Sequence, residues 1–341
     1  MQSQISYLTA IINAGLTRKV VPGVDLSKAD WGKLVPFIEA NHLQSIAARA
    51  FATLRKLEQP LPDRRIEMSM GEASIVEGPK RMKRQLAIKK MARAWREEGK
   101  CPLALGGLAF SVFYPSSALR GGDTLVCIPL LQKSDAEGGE QRGVSSQTYD
   151  DVLKVVVPDS AIGPFNSLRG SEADAILRSA FFAGPCELQP ALEIAYPAPA
   201  FLALYHLYTA QQLLLNARIP FDMVIDWGVM LHGLGQMKEE SFNWTTFLEQ
   251  VTDLGLLSFV QTFTALAVRL TGITLPEAAA TLTASDSDVD YLLRCILDEK
   301  PAKEVGDGRF SRFFGVLRNS KKYSRFSEST PLSEAFHYLF K

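Results

Sequence analysis

Two glycines and a few carboxylates have the types and spacing that chemistry requires. Gly106 and Gly107 separate the apolar run Leu103 to Leu105 from the apolar stretch Leu108 to Tyr114. A glycine turn leading into a helix lets backbone N–H groups approach a phosphate, with the positive end of the helix dipole behind them. After Pro115 a polar loop ends in Arg120, Gly121 and Gly122, and Asp123 opens a run rich in branched residues, Thr124 to Ile128. That run predicts a strand. Residues i and i+2 of a strand face the same way, so the face begun by Asp123 continues with Leu125 and Cys127.

The segment as a whole, strand, glycine turn, helix, loop, strand, resembles the nucleotidyltransferase fold of the DNA polymerase β-like superfamily. Gly107-Leu108-Ala109, Tyr114-Pro115, Arg120 and Gly122-Asp123 are similar to the run in the family of uncharacterised nucleotidyltransferases. The similarity extends over about residues 25 to 275, through Asp30-Trp31 and the amphipathic helix after it, the Pro197 to His206 stretch, and the helix containing Asp226 and Trp227. It implies transfer of NMP from an NTP to an acceptor hydroxyl or amine. Gly106, Gly107, Arg120 and Gly122 would then lie at the nucleotide and Asp123 on Mg²⁺.

The sequence departs from that pattern at a decisive position. The superfamily carries Asp-x-Asp, which presents two carboxylates to a pair of Mg²⁺ ions, and here the second acid is Leu125. Cys127, next on that face, is a soft ligand poorly suited to a hard cation. A third carboxylate is expected on a later strand, and the best candidate, Val152 to Val157, contains no acid. Asp150 and Asp151 precede it and are the replacement acids a working site would need.

The resemblance also singles out His206 and Asp226. Each sits in an apolar helical stretch and must find a hydrogen-bond partner if buried. A mutual pair would satisfy both, and a histidine tuned by a carboxylate can instead act as a general base.

Around these residues the chain reads as mainly helical α+β, with a small nucleotidyltransferase-type mixed sheet core. Four regions are expected: an N-terminal helical region over 1–98, the nucleotidyltransferase-like α/β core over 99–165, a helical bundle over 166–300, and a basic C-terminal segment over 301–341 packed on the body. In the first, Ile5, Leu8, Ile11 and Ile12 share a helical face, and Ser27 is placed to cap the helix holding Trp31, Leu34, Phe37 and Ile38. In the third, Leu202, Tyr205, His206, Thr209 and Leu213 recur at threes and fours, and Phe247 to Leu270 reads as two helices divided near Gly255.

Composition sets outer bounds. The 341 residues are 47% hydrophobic and 22% charged, with 37 Lys+Arg against 37 Asp+Glu. A zero balance gives no global argument for nucleic acid or membrane, although local basic stretches exist. Lys80 to Arg96 and Arg309 to Arg325 are the two segments where a polyanion such as RNA could make contact. In the first, Met82, Leu86, Met91 and Trp95 are expected to form the apolar face that packs inward. Four cysteines without a C-x-x-C pair read as reduced core residues. No apolar stretch reaches the length of a membrane span, and a cytoplasmic protein is the simplest expectation.

Three functions follow for testing: an Mg²⁺- and NTP-dependent transferase acting on an unknown acceptor, a catalytically inactive pseudoenzyme that binds a nucleotide or a partner, and an interaction protein that holds an anionic polymer.

Overall fold

The computed structural model describes residues 4–97, 100–120, 125–131, 175–177, 179–180, 187–189, 194–216, 218–297 and 308–340. Four helices come first: α1 (Ile5–Thr17), α2 (Trp31–Ala40), α3 (Gln44–Lys56) and the long α4 (Arg64–Glu97). Helix α1 buries Leu8, Ile11 and Ile12 against α3 on one side and a later helix on the other. Ser27 does not cap α2. It lies in a short 3₁₀ turn, Leu26–Lys28, whose cap is Asp25, and the Asp25 carboxylate takes both the Ser27 N–H and its hydroxyl.

The 34 residues of α4 span about 51 Å. An Arg55–Glu67 ion pair ties its first turns to α3. Its inward side is marked by Met70, Ile88 and Ala92, all buried. Met82 and Leu86, expected to face inward, are instead largely exposed. The Met91 and Trp95 side chains lie outside the described residues.

After α4 come β1 (Lys100–Gly106), the single-turn helix α5 (Gly107–Phe110), and 3₁₀ turns at Ser111–Phe113 and Ser117–Leu119. Three strands follow: β2 (Leu125–Leu131), β3 (Glu187–Gln189) and β4 (Ile194–Tyr196). β1 and β2 form an antiparallel ladder from Lys100↔Leu131 to Gly106↔Leu125. β3 and β4 form a second, much shorter one. The two meet at one registered pair, Leu103↔Ala195, giving the order β2-β1-β4-β3.

The expected α+β class with a nucleotidyltransferase-type mixed sheet core is therefore corrected. Helices dominate the described molecule, and the strands make two ribbons joined at a point rather than a platform around which the domain is built. The physical reason lies in where the apolar surface is. The segment Leu108 to Tyr114 winds into one α turn and one 3₁₀ turn, too short to cover a sheet face. The large apolar residues are concentrated in the helices that follow.

Those helices are α6 (Pro199–Asn216), α7 (Phe221–Leu234), α8 (Trp244–Asp253), α9 (Leu257–Thr271) and α10 (Asp286–Leu297). In α7 apolar residues occur on every side, the pattern of a helix enclosed by others. Its Phe221, Val224, Ile225, Trp227, Met230, Leu231 and Leu234 are all buried. Phe201 of α6, Phe247 of α8, and Phe259 and Phe263 of α9 complete the densest part of the core. Gly255 adopts a left-handed φ of 63° in the turn between α8 and α9, a conformation that costs a residue with a Cβ about 1–2 kcal/mol.

Helices α11 (Arg309–Arg318), α12 (Ser320–Phe326) and α13 (Pro331–Phe340) close the chain. Tyr323 and Phe326 are buried, whereas Phe310 and Phe314 on α11 are exposed. α11 packs on α13, α12 and α6, while α4 packs on α3 and β1, so the two basic segments rest on different parts of the molecule. No described helix is long and apolar enough to cross a membrane.

Candidate functional site: a buried Tyr–Arg–Asp node

A polar node in the core is built by two segments remote in sequence, residues 114–120 and α7. Asp226 lies on the innermost side of α7, its side chain 2% exposed, and would be a costly isolated charge there. Arg120, 9% exposed at the end of the loop after α5, resolves that cost. Its Nη2 donates to Asp226 Oδ2 at 2.8 Å, and its Nε lies 2.8 Å from Oδ1. The Tyr114 hydroxyl donates to Oδ1, also at 2.8 Å. Asp222, one helical turn before Asp226, adds a further contact to Arg120 Nη1 at 3.2 Å.

Electrostatics follow from this geometry. Burial raises the Asp226 carboxyl above its ordinary range, opposed by the Arg120 guanidinium and the Tyr114 hydroxyl. Burial works against the Arg120 charge, yet Asp226, Tyr114 and Asp222 outweigh it and hold the guanidinium proton more firmly than usual. Burial, and next to it the Asp226 charge, push the Tyr114 hydroxyl far up, so it stays a donor. Arg120 thus compensates the Asp226 charge, with Tyr114 on the same carboxylate and Asp222 at the other side of the guanidinium.

His206 is close by, on α6, but does not pair with Asp226. Its Nε2 lies 2.9 Å from the Met223 carbonyl. Its ring meets Phe110 of α5 edge-on at 4.6 Å and stacks near Trp227 at 6.4 Å. Trp227 in turn donates from Nε1 to Thr264 Oγ1 at 2.9 Å. Burial pushes the His206 imidazole down to about 4, the Met223 carbonyl pulling the other way. It is therefore neutral at physiological pH, and it is buried, 2% exposed. The expected mutual His206–Asp226 pair is replaced by two separate solutions to the same burial problem.

The other expected site residues divide into two sets. Gly106 ends β1 and Gly107 begins α5, with Phe110 resting on the His206 ring. Gly122, Asp123, Asp150 and Asp151, together with the Val152 to Val157 strand, lie outside the described residues. Leu125, the residue in place of the second acid, begins β2 opposite Gly106. Among the described residues no group of three or more His, Cys, Asp or Glu side chains is arranged to hold a metal. Cys295 is a half-buried thiol outside any disulfide.

Sequence reasoning placed Arg120 at a nucleotide and missed that it is the counter-ion of Asp226. The available signal was the acid itself, because a buried carboxylate in a largely apolar helix calls for a cation. Compared with known proteins, the chain matches no family model, no curated protein and no solved structure.

Proposed function

We propose that the chain is a catalytically silent, partner-binding pseudoenzyme related to the nucleotidyltransferases. The observation that carries the reading is the internal use of the polar residues that the resemblance singles out. Tyr114, Arg120 and Asp226 neutralise one another inside the fold, and His206 is buried, uncharged and held at a backbone carbonyl. Side chains committed in this way tie the segment after α5, and helix α6, to α7 rather than facing a substrate.

Two further features favour binding over transfer. Leu125 stands where a second metal-binding acid is required, and the described strands form two short ribbons joined at one registered pair. The helix after the glycine turn has four residues. A dipole that short gives a triphosphate little to hold. The Mg²⁺- and NTP-dependent transferase, with Asp123 assisted by Asp150 or Asp151, is the alternative that the test must exclude.

The test is incubation of the protein with each labelled NTP and Mg²⁺, alongside calorimetric titration, for the natural chain and Asp123→Asn. No labelled NMP should appear on protein, RNA or small-molecule acceptors. Transfer that depends on Mg²⁺ and is abolished by Asp123→Asn would overturn the proposal.

A further inference from the structure

The outward side of α4 carries an apolar seam that its own chain leaves uncovered among the described residues. Met68, Ile75, Pro79, Met82 and Leu86 are exposed, and with Glu72 they recur at alternating spacings of four and three. That is the heptad spacing by which one helix packs along another. Exposure reaches 73% at Ile75, 65% at Met82 and 63% at Leu86. From Met68 to Leu86 the seam runs about 27 Å.

We infer that this seam is a self-association surface, on which α4 of one copy lies antiparallel to α4 of a second copy. Charge selects the occupant and its direction. Arg64 and Arg65 open the helix, Glu72 and Glu77 fall in the first part of the seam, and Lys80, Arg81, Lys83, Lys89, Lys90 and Arg93 follow. A parallel pair sets the two basic second halves against each other, whereas an antiparallel pair separates them and lets Glu72 of each copy meet Lys83 of the other. The antiparallel register that opposes every seam position to another is centred at residue 77. It puts Met68 against Leu86 and Ile75 against Pro79 of the second copy, and Glu72 beside the second copy's Met82 and Lys83. Glu72 and Lys83 are both exposed, and neither has an ion-pair partner among the described residues. The zero net charge of the chain adds no general repulsion between copies.

Gly71 and Gly78 point the same way. A Cβ at either would meet nothing within 4 Å, so packing within the chain does not require them. Each costs a helix interior about 1 kcal/mol relative to alanine. Seven residues apart beside the seam, they let a second backbone approach closely.

The surface is separate from the Tyr114–Arg120–Asp226 node, so the two readings can fail independently. The experiment is light scattering after size exclusion on the full chain over a concentration series. The natural chain should form a dimer, and Ile75→Glu/Met82→Glu should weaken it roughly 100-fold or more in Kd, with unchanged far-ultraviolet circular dichroism. Glu72→Lys and Lys83→Glu alone should each weaken the dimer several-fold, and the two together should restore it. A natural chain that is monomeric at all concentrations overturns the inference, as does a dimer indifferent to Ile75→Glu/Met82→Glu. Single charge reversals without effect, or a double reversal that fails to restore association, overturn the antiparallel arrangement.

Discussion

The Tyr114 hydroxyl donates to Asp226 Oδ1 at 2.8 Å across 112 residues of sequence. With Arg120 on the same carboxylate, this contact fastens the segment after α5 to the innermost helix of the core. The bond is therefore a tertiary clasp as well as the satisfaction of a buried acid.

Breaking the ion pair should be costly, and breaking both halves less so. Arg120→Met leaves Asp226 buried without its main counter-charge and should lower the unfolding free energy by about 3 kcal/mol. Arg120→Met combined with Asp226→Asn removes both charges while keeping an acceptor for Tyr114. Urea denaturation at neutral pH should find the double variant more stable than the single one. The reverse order would sink the account of a compensated pair.

Removing the hydroxyl alone is a milder change. Tyr114→Phe keeps the ring in place, and Arg120 still covers the carboxylate, so the loss should be about 1–2 kcal/mol in the same measurement. A loss as large as that of Arg120→Met would mean that the ring, rather than the hydroxyl, carries the contact.

Acid sensitivity should trace in part to His206. In the folded chain its imidazole is pushed down to about 4 from the ordinary 6.5. Below 6.5 the unfolded chain takes up a proton that the folded chain refuses. Stability from this residue is therefore complete above pH 6.5 and drains as pH falls toward 4, by about 2 kcal/mol between pH 7 and 5. His206→Gln should flatten that part of the profile. Asp226, whose carboxyl burial raises, draws stability the other way and is common to both chains, so the difference between the profiles isolates His206. Parallel profiles would show that the imidazole is not the titrating group.

Gly272 should tolerate no side chain. Its φ is 64°, and a Cβ there would collide with the Asn13 amide. Gly272→Ala should cost about 1–2 kcal/mol for the left-handed backbone and also displace the bond from Asn13 Nδ2 to the Leu270 carbonyl, which is 2.8 Å. The thermal midpoint of this variant checks it, with Gly23→Ala as the control. Gly23 shares a positive φ but has open space around it, so it should lose the backbone share alone.

Much of the helical architecture was legible because its signals are local. Threes and fours from Leu202 to Leu213 correspond to α6, and Gly255 does break Phe247 to Leu270 into α8 and α9. Competition between neighbours was not legible. Ser27 is a good capping residue, but Asp25 takes its N–H and hydroxyl first. Helix α4 carries apolar residues on two sides, and periodicity alone gives no sign that Ile88 and Ala92 go inward while Met82 and Leu86 stay out. The node joins residues more than a hundred positions apart, and no window along the chain contains both partners.

Asn13 of α1 reaches the Leu270 carbonyl at the end of α9 across 257 residues. At ribosomal speeds of roughly 5–20 residues per second, the first helix must wait about 13 to 50 s for that partner to be made. Helix α3 can cover one side early, but the side of α1 that meets α9 stays bare meanwhile. Until α9 is made, the nascent chain therefore leaves that apolar side of α1 without its native cover.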